Sequence, residues 1–156
     1  MGNQKLEYCD TERDLGVIMS TDLKVESQCN EACLKANRML GLIKRTFVVK
    51  TPEVMLNLYK TLVRPHLEYC ISAWSPHYQK DKKLLEKVQH RFTRMITSIK
   101  SLQYEAGLQK LGLWTLEERR NRADLIEVFK MAHGLSAIPL TDCSRLMQQE
   151  ELGDIH

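Results

Sequence analysis

Four basic residues, Lys83, Lys87, Arg91 and Arg94, stand at positions i, i+4, i+8 and i+11. On a helix that spacing gathers them on one face, with His90 at its border. The chemistry open to such a row is electrostatic. Each cation can neutralise one phosphate of a nucleic-acid backbone and release a counterion, which makes affinity fall with salt. A solvated face of an amphipathic helix gives the same pattern, with Glu86 partly neutralising it. Spacing alone does not separate the two readings. Lys35, Arg38, Lys44 and Arg45 form a second basic candidate, although Arg38 and Lys44-Arg45 do not all share one face. Arg119, Arg120 and Arg122 follow Glu117 and Glu118, so local ion pairs account for them about as well.

Metal and covalent chemistry find less support. Cys29 and Cys33 lie one helical turn apart, as do His66 and Cys70, with His77 nearby. Finger-type zinc sites use tight Cys-x-x-Cys pairs with a separate ligand pair, which these spacings do not give. Because these cysteines fall on apolar stripes, they are expected in the core, together with His66, and no metal or cofactor is assigned. No nucleophile elbow, phosphate-binding glycine loop or dinucleotide fingerprint occurs. The aromatics Tyr59, Tyr69, Trp74, Phe92 and Trp114 are expected in the core, with Trp114 partly exposed ahead of a helix.

The 156 residues suffice for one core, and the charged fraction of 28% is ordinary for a globular chain. The net charge of +3 says little, but its distribution says more. Ala32 to Pro52 contains Lys35, Arg38, Lys44, Arg45 and Lys50 and no acid, whereas the segment after Thr141 is acidic. The five cysteines are an odd number without a secretory signal, so reduced thiols and an intracellular location are expected, nucleus or cytoplasm undecided. No apolar run reaches membrane-spanning length.

The elements that must position these residues read as helices. Val25, Cys29, Ala32, Cys33, Ala36, Met39, Leu40, Ile43 and Phe47 make one stripe over 22–47, with Asp22 or Ser27 as cap. Thr51-Pro52-Glu53 opens a second helix. Val54, Met55, Leu58, Tyr59, Leu62 and Val63 face the core up to a kink at Pro65, and Leu67, Cys70, Ile71 and Trp74 continue the stripe. Asp81 caps a third helix whose apolar face is Leu84, Leu85, Val88, Phe92, Met95, Ile96 and Ile99. A short fourth helix spans 103–111 and closes at Gly112, with Gly107 a weak interior position. Thr115 and Glu118 form a capping box for a fifth helix that turns Leu116, Ala123, Ile126, Phe129 and Ala132 inward and stops at Gly134. The expected fold is all-α: a compact bundle of about five helices (22–134), a short extended N-terminal arm (1–21) and a loose acidic tail (135–156). Leu15 to Met19 is apolar but lacks a visible strand partner, so the arm is expected to be irregular.

Several blocks, in order, carry a family resemblance. They are Leu15-Gly16-Val17, then Lys35-Ala36-Asn37-Arg38-Met39-Leu40-Gly41, then the proline-bearing Leu58 to Trp74. Leu85-Glu86-Lys87-Val88-Gln89-His90-Arg91, Met95-Ile96, Leu108 to Leu113, and Glu117-Glu118-Arg119-Arg120 running into Asp124-Leu125-Ile126 follow. From Tyr8 to Gly134 the chain resembles the region after the catalytic palm in reverse transcriptases of LINE-type (non-LTR, jockey-like) retrotransposons. The resemblance implies a thumb and its C-terminal extension, the part that grips a template–primer duplex. That family's chemistry rests on aspartates, including an adjacent pair, that hold two magnesium ions. No Asp-Asp dipeptide occurs here.

The expected function is therefore that of a non-catalytic polymerase fragment. Its partner would be RNA–DNA or RNA duplex, bound without regard to sequence through Lys83, Lys87, Arg91, Arg94, Lys35, Arg38, Lys44 and Arg45. The alternative is a helical protein-interaction module, or an inert remnant, in which apolar surface once facing the palm drives self-association.

Overall fold

A computed structural model describes residues 9–48 and 50–137. The chain divides into two units, 1–117 and 118–156. The first holds the bulk of the core. It begins with strands β1 (Thr11–Asp14) and β2 (Val17–Ser20), paired antiparallel with Asp14 opposite Val17. Helix α1 (Glu26–Thr46) follows, then α2 (Pro52–Leu58), a π-helical segment (Tyr59–Val63), α3 (Arg64–Glu68), α4 (Ile71–Trp74), α5 (Gln79–Thr93) and α6 (Tyr104–Leu111). Helix α7 (Leu116–Ala132) opens at the end of this unit and makes up most of the described part of the second. The architecture is the expected mainly helical bundle, with a small hairpin added.

That hairpin corrects the irregular arm. Leu15 and Gly16 form a two-residue loop with φ of 45° and 86°, the positive values that a type I′ hairpin requires. The partner strand Thr-Glu-Arg-Asp is exposed on both faces and so carries no hydrophobic signal. Tertiary bonds hold the pair. The Ile18 amide donates to Gln28 Oε1 at 2.9 Å, the Tyr69 hydroxyl donates to the Leu15 carbonyl at 3.0 Å, and Val17 is buried.

Helix α1 buries Cys29, Ala32, Cys33, Ala36, Leu40 and Ile43 as its stripe specifies. Its start differs from expectation. Val25 occupies the N-cap position, while Asp22 accepts from the Lys24 amide at 3.0 Å in a turn before the helix. Ser27 already lies within the first turn. Thr51 and Pro52 do open α2.

The expected kink at Pro65 takes another form. Proline lacks an N–H, and the chain widens just ahead of it into a π turn in which the Arg64 amide bonds the Tyr59 carbonyl, five residues back. Met55, Tyr59, Val63, Leu67 and Ile71 recur every four residues and are all buried. A regular α-helix would rotate such a series away from the core, and the wider turn absorbs that drift. Val54, Leu62 and Tyr69 are exposed, against expectation. The sharp break comes later, at Tyr69, which is extended, and Cys70, which is left-handed with φ 51°. Cys70 is exposed there rather than in the core. The break aims the Trp74 indole N–H at the Tyr69 carbonyl, 2.7 Å away, and buries the ring.

Further differences have simple causes. Tyr78, not Asp81, is the N-cap of α5. Asp81 lies in the first turn, where a carboxylate still complements the helix dipole. Helix α5 stops at Thr93, whose hydroxyl bonds back to the His90 carbonyl at 2.8 Å. Ile96 and Ile99 are buried from the turns that follow. Gly107 is not a weak point but a close approach, because a Cβ there would stand 3.0 Å from Ile99 Cγ2. Gly112 closes α6 with φ 61°, as expected.

In the second unit, α7 ends at Ala132 and Gly134 adopts φ 65°, matching the expected stop. Of its expected stripe Leu116 is buried and Ala123 half-buried, but the rest is not. Ile126 is 42% and Phe129 55% exposed, Ala132 is exposed, and Leu125 and Val128 join them. The expected acidic tail lies, from residue 138 on, outside the described residues.

Candidate nucleic-acid interface

Helix α5 is built to present one polar and one apolar face. Leu85, Val88 and Phe92 are buried, and Phe92 stacks on Tyr59 with ring centroids 4.2 Å apart. With that face fixed inward, Lys83, Lys87, Arg91 and Arg94 all emerge to solvent. Arg94 keeps helical backbone angles one residue beyond the helix, so it continues the row.

Contacts to α1 anchor one edge of this row. Lys80 Nζ reaches Glu26 at 2.8 Å, the Cys33 thiol lies 3.5 Å from the Leu84 carbonyl, and Arg91 Nη1 donates to Asn37 Oδ1 at 3.2 Å. These pairs advance together along both sequences, so α1 and α5 run parallel, side by side. The second basic set is split by this arrangement. Lys35 lies 3.3 Å from Glu31, which also pairs with Arg13 of the hairpin at 3.3 Å. Those two cations hold the Glu31 carboxyl below its ordinary pKa. Arg38 and Arg45, seven residues apart, share the exposed side of α1, and Lys44 falls on the flank toward α5. The structure therefore brings Lys83, Lys87, Arg91 and Arg94 together, places Arg38, Lys44 and Arg45 on the neighbouring helix, and ties Lys35 elsewhere. Among the described residues Lys83, Lys87, Arg94, Arg38, Lys44 and Arg45 make no ion pair.

Glu86, expected to neutralise the row, is engaged on its other flank. Its carboxylate accepts from the Tyr104 hydroxyl, from Gln89 Nε2 at 3.3 Å and from the Leu116 amide at 3.0 Å. It thus satisfies one of the unpaired amides at the start of α7. Gln89 is fully buried at the centre of the network. It donates also to Tyr104 Oη at 3.1 Å and to the Trp114 carbonyl at 3.0 Å, and accepts from the Tyr59 hydroxyl at 2.6 Å. Burial, reinforced by the Glu86 carboxylate, raises the Tyr104 phenol well above its ordinary pKa, so it remains a donor. Sequence reasoning missed this network. Its members are scattered over α5, α6 and the turn before α7, and a glutamine on an apolar face was the one available signal. Trp114 is 48% exposed, in line with expectation.

The cysteine and histidine candidates do not converge. Among the described residues no group of three or more His, Cys, Asp or Glu side chains could hold a metal ion. Burial pushes the Cys33 thiol up to about 11, disfavouring the thiolate that a metal requires. Among the described residues no helix is long and apolar enough to cross a membrane.

No protein-family model matches this chain, no curated protein matches it, and no solved structure matches its fold.

Proposed function

We propose that this chain is a non-catalytic, thumb-like clamp on nucleic-acid duplex, derived from a LINE-type retrotransposon reverse transcriptase. The observation that carries this reading is the row Lys83, Lys87, Arg91 and Arg94. These cations stand exposed on one face of α5, with Lys83, Lys87 and Arg94 free of acidic partners among the described residues. A cation that supports its own helix can pair across one turn, as Arg64 does with Glu68 at 3.6 Å. Cations held apart from acids keep their charge available for phosphates. Arg38, Lys44 and Arg45 extend the positive field on the adjacent helix. A row of cations spent on phosphates carries no sequence information, so binding through it would disregard sequence. The order of sequence blocks shared with the retrotransposon enzymes supports the template–primer hybrid as the duplex gripped.

Fluorescence anisotropy with a labelled RNA–DNA hybrid tests the reading. Binding at 50 mM salt that weakens by about ten-fold or more at 200 mM is expected from a few phosphate contacts. Absence of binding at low salt refutes it.

A second reading, association with a further copy or another protein, draws on helix α7. Leu125, Val128 and Phe129 are all more than half exposed, at a spacing that gathers them on one side. Sedimentation without nucleic acid separates the two: a concentration-dependent dimer that ignores hybrid favours association, and a monomer that binds hybrid favours the clamp.

A further inference from the structure

Beside the basic row, between α5 and α6, lies a shallow, open cleft of about 240 Å³ lined by Lys83, Glu86, Lys87, His90 and Tyr104. Its walls differ in chemistry. His90 and Tyr104 meet edge to face with centroids 4.9 Å apart and form an aromatic side. Both rings are partly buried, as is Glu86, whereas Lys83 and Lys87 are exposed. The lysines therefore stand at the solvent side, and the aromatic pair and the carboxylate lie deeper. Glu86 is held in place by Tyr104, Gln89 and the Leu116 amide, so the inner wall is preorganised.

We infer that this cleft is a subsite for one unpaired nucleotide of a nucleic-acid strand, with its base against His90 and Tyr104 and its phosphate between Lys83 and Lys87. The volume lies below the range of ordinary small-molecule pockets, which suits a single ring system. The Glu86 carboxylate disfavours an anion beside the rings, so an uncharged heterocycle suits that side better than a phosphate. Aromatic faces accept any base, and an ammonium at the mouth suits the attached phosphate. A strand, rather than a free nucleotide, is favoured because Lys83 and Lys87 belong also to the row that continues through Arg91 and Arg94. A phosphodiester backbone leaving the cleft has its next positive partners on the same helix. This inference rests on the clamp reading and adds to it a preference for duplex ends with an unpaired nucleotide.

The test compares a blunt RNA–DNA hybrid with the same hybrid carrying one unpaired nucleotide, by anisotropy at low salt. The overhang is expected to bind about ten-fold tighter, in line with one base stacked on an aromatic side chain. In His90→Ala the ratio of the two affinities is expected to fall toward one, and His90→Phe, which keeps a ring, is expected to restore it. Adenosine monophosphate in excess should erase the difference by filling the cleft. Equal affinity for both hybrids overturns the subsite while leaving the clamp standing. Binding of the overhang alone overturns the duplex clamp and keeps the subsite. Binding of neither overturns both. A ratio that survives His90→Ala places the preference elsewhere and overturns the assignment.

Discussion

Gln89 and Cys33 show how differently two buried polar side chains behave. Gln89 has both ends of its amide occupied, by Tyr59 on one side and by Glu86, Tyr104 and the Trp114 carbonyl on the other. Replacing it with leucine would remove the acceptor of the Tyr59 hydroxyl bond and the donor to the Trp114 carbonyl in a buried site. Gln89→Leu is expected to cost about 1–3 kcal/mol through loss of these buried hydrogen bonds. A urea titration reads this directly. Cys33 has a single weak sulfur contact, and burial keeps it a neutral thiol. A folded-state pKa raised from 9.0 to about 11 contributes stability that is complete below the ordinary thiol value and is lost as pH rises through that window. Cys33→Ala is expected to show a shallower alkaline fall in its urea midpoint between those values than the parent chain. Thiol labelling at neutral pH should modify exposed Cys9 and Cys70 well before Cys29 and Cys33. Burial of Cys29 and Cys33 was legible from their place on an apolar stripe. Exposure of Cys70 was not, because the left-handed turn at that residue follows from where the chain must bend to bury Trp74.

At the scale of elements, two short pieces carry clear expectations. The hairpin loop holds Leu15 in a left-handed conformation that asparagine adopts more readily, ahead of a glycine already suited to it. Leu15 is 81% exposed and contributes a carbonyl, not its side chain, to the contact with Tyr69. Leu15→Asn is therefore expected to stabilise the chain by about 0.5–1 kcal/mol, measured by thermal unfolding. Helix α6 depends on Gly107 to approach Ile99. Gly107→Gln, attractive on helix propensity alone, is expected to destabilise by about 1–3 kcal/mol through overpacking. Starts and stops made by the chain's own residues were readable: Thr51-Pro52, Gly112 and Gly134 all stand where expected. The π segment was not readable. It arises from the agreement between a proline and a four-residue burial rhythm, and which residues are buried is decided by the neighbours of the helix.

Across the whole molecule, charge is arranged rather than balanced. Several acids of the first unit are committed to particular cations, as in Glu26 with Lys80, Glu31 with Arg13 and Lys35, and Glu117 with Lys82. The α5 row is left out of these pairs, and Arg91 hydrogen-bonds the neutral amide of Asn37 instead. Lys83→Gln combined with Lys87→Gln is expected to weaken hybrid binding at low salt and to lower the slope of log affinity against log salt by about 1–2, since each phosphate contact adds nearly one unit. An unchanged slope would remove these two lysines from the interface. By itself the sequence determined the helices, their main buried faces and the co-facial basic row, because periodicity and helix-end chemistry are local properties of the chain. Tertiary structure alone decided three further matters: that a charged strand pairs to make a hairpin, that Glu86 turns from the basic row toward Tyr104 and the start of α7, and that a cleft opens beside that row. Each depends on residues distant in sequence, and a side chain with several possible partners takes the one that burial and backbone geometry bring within hydrogen-bonding reach.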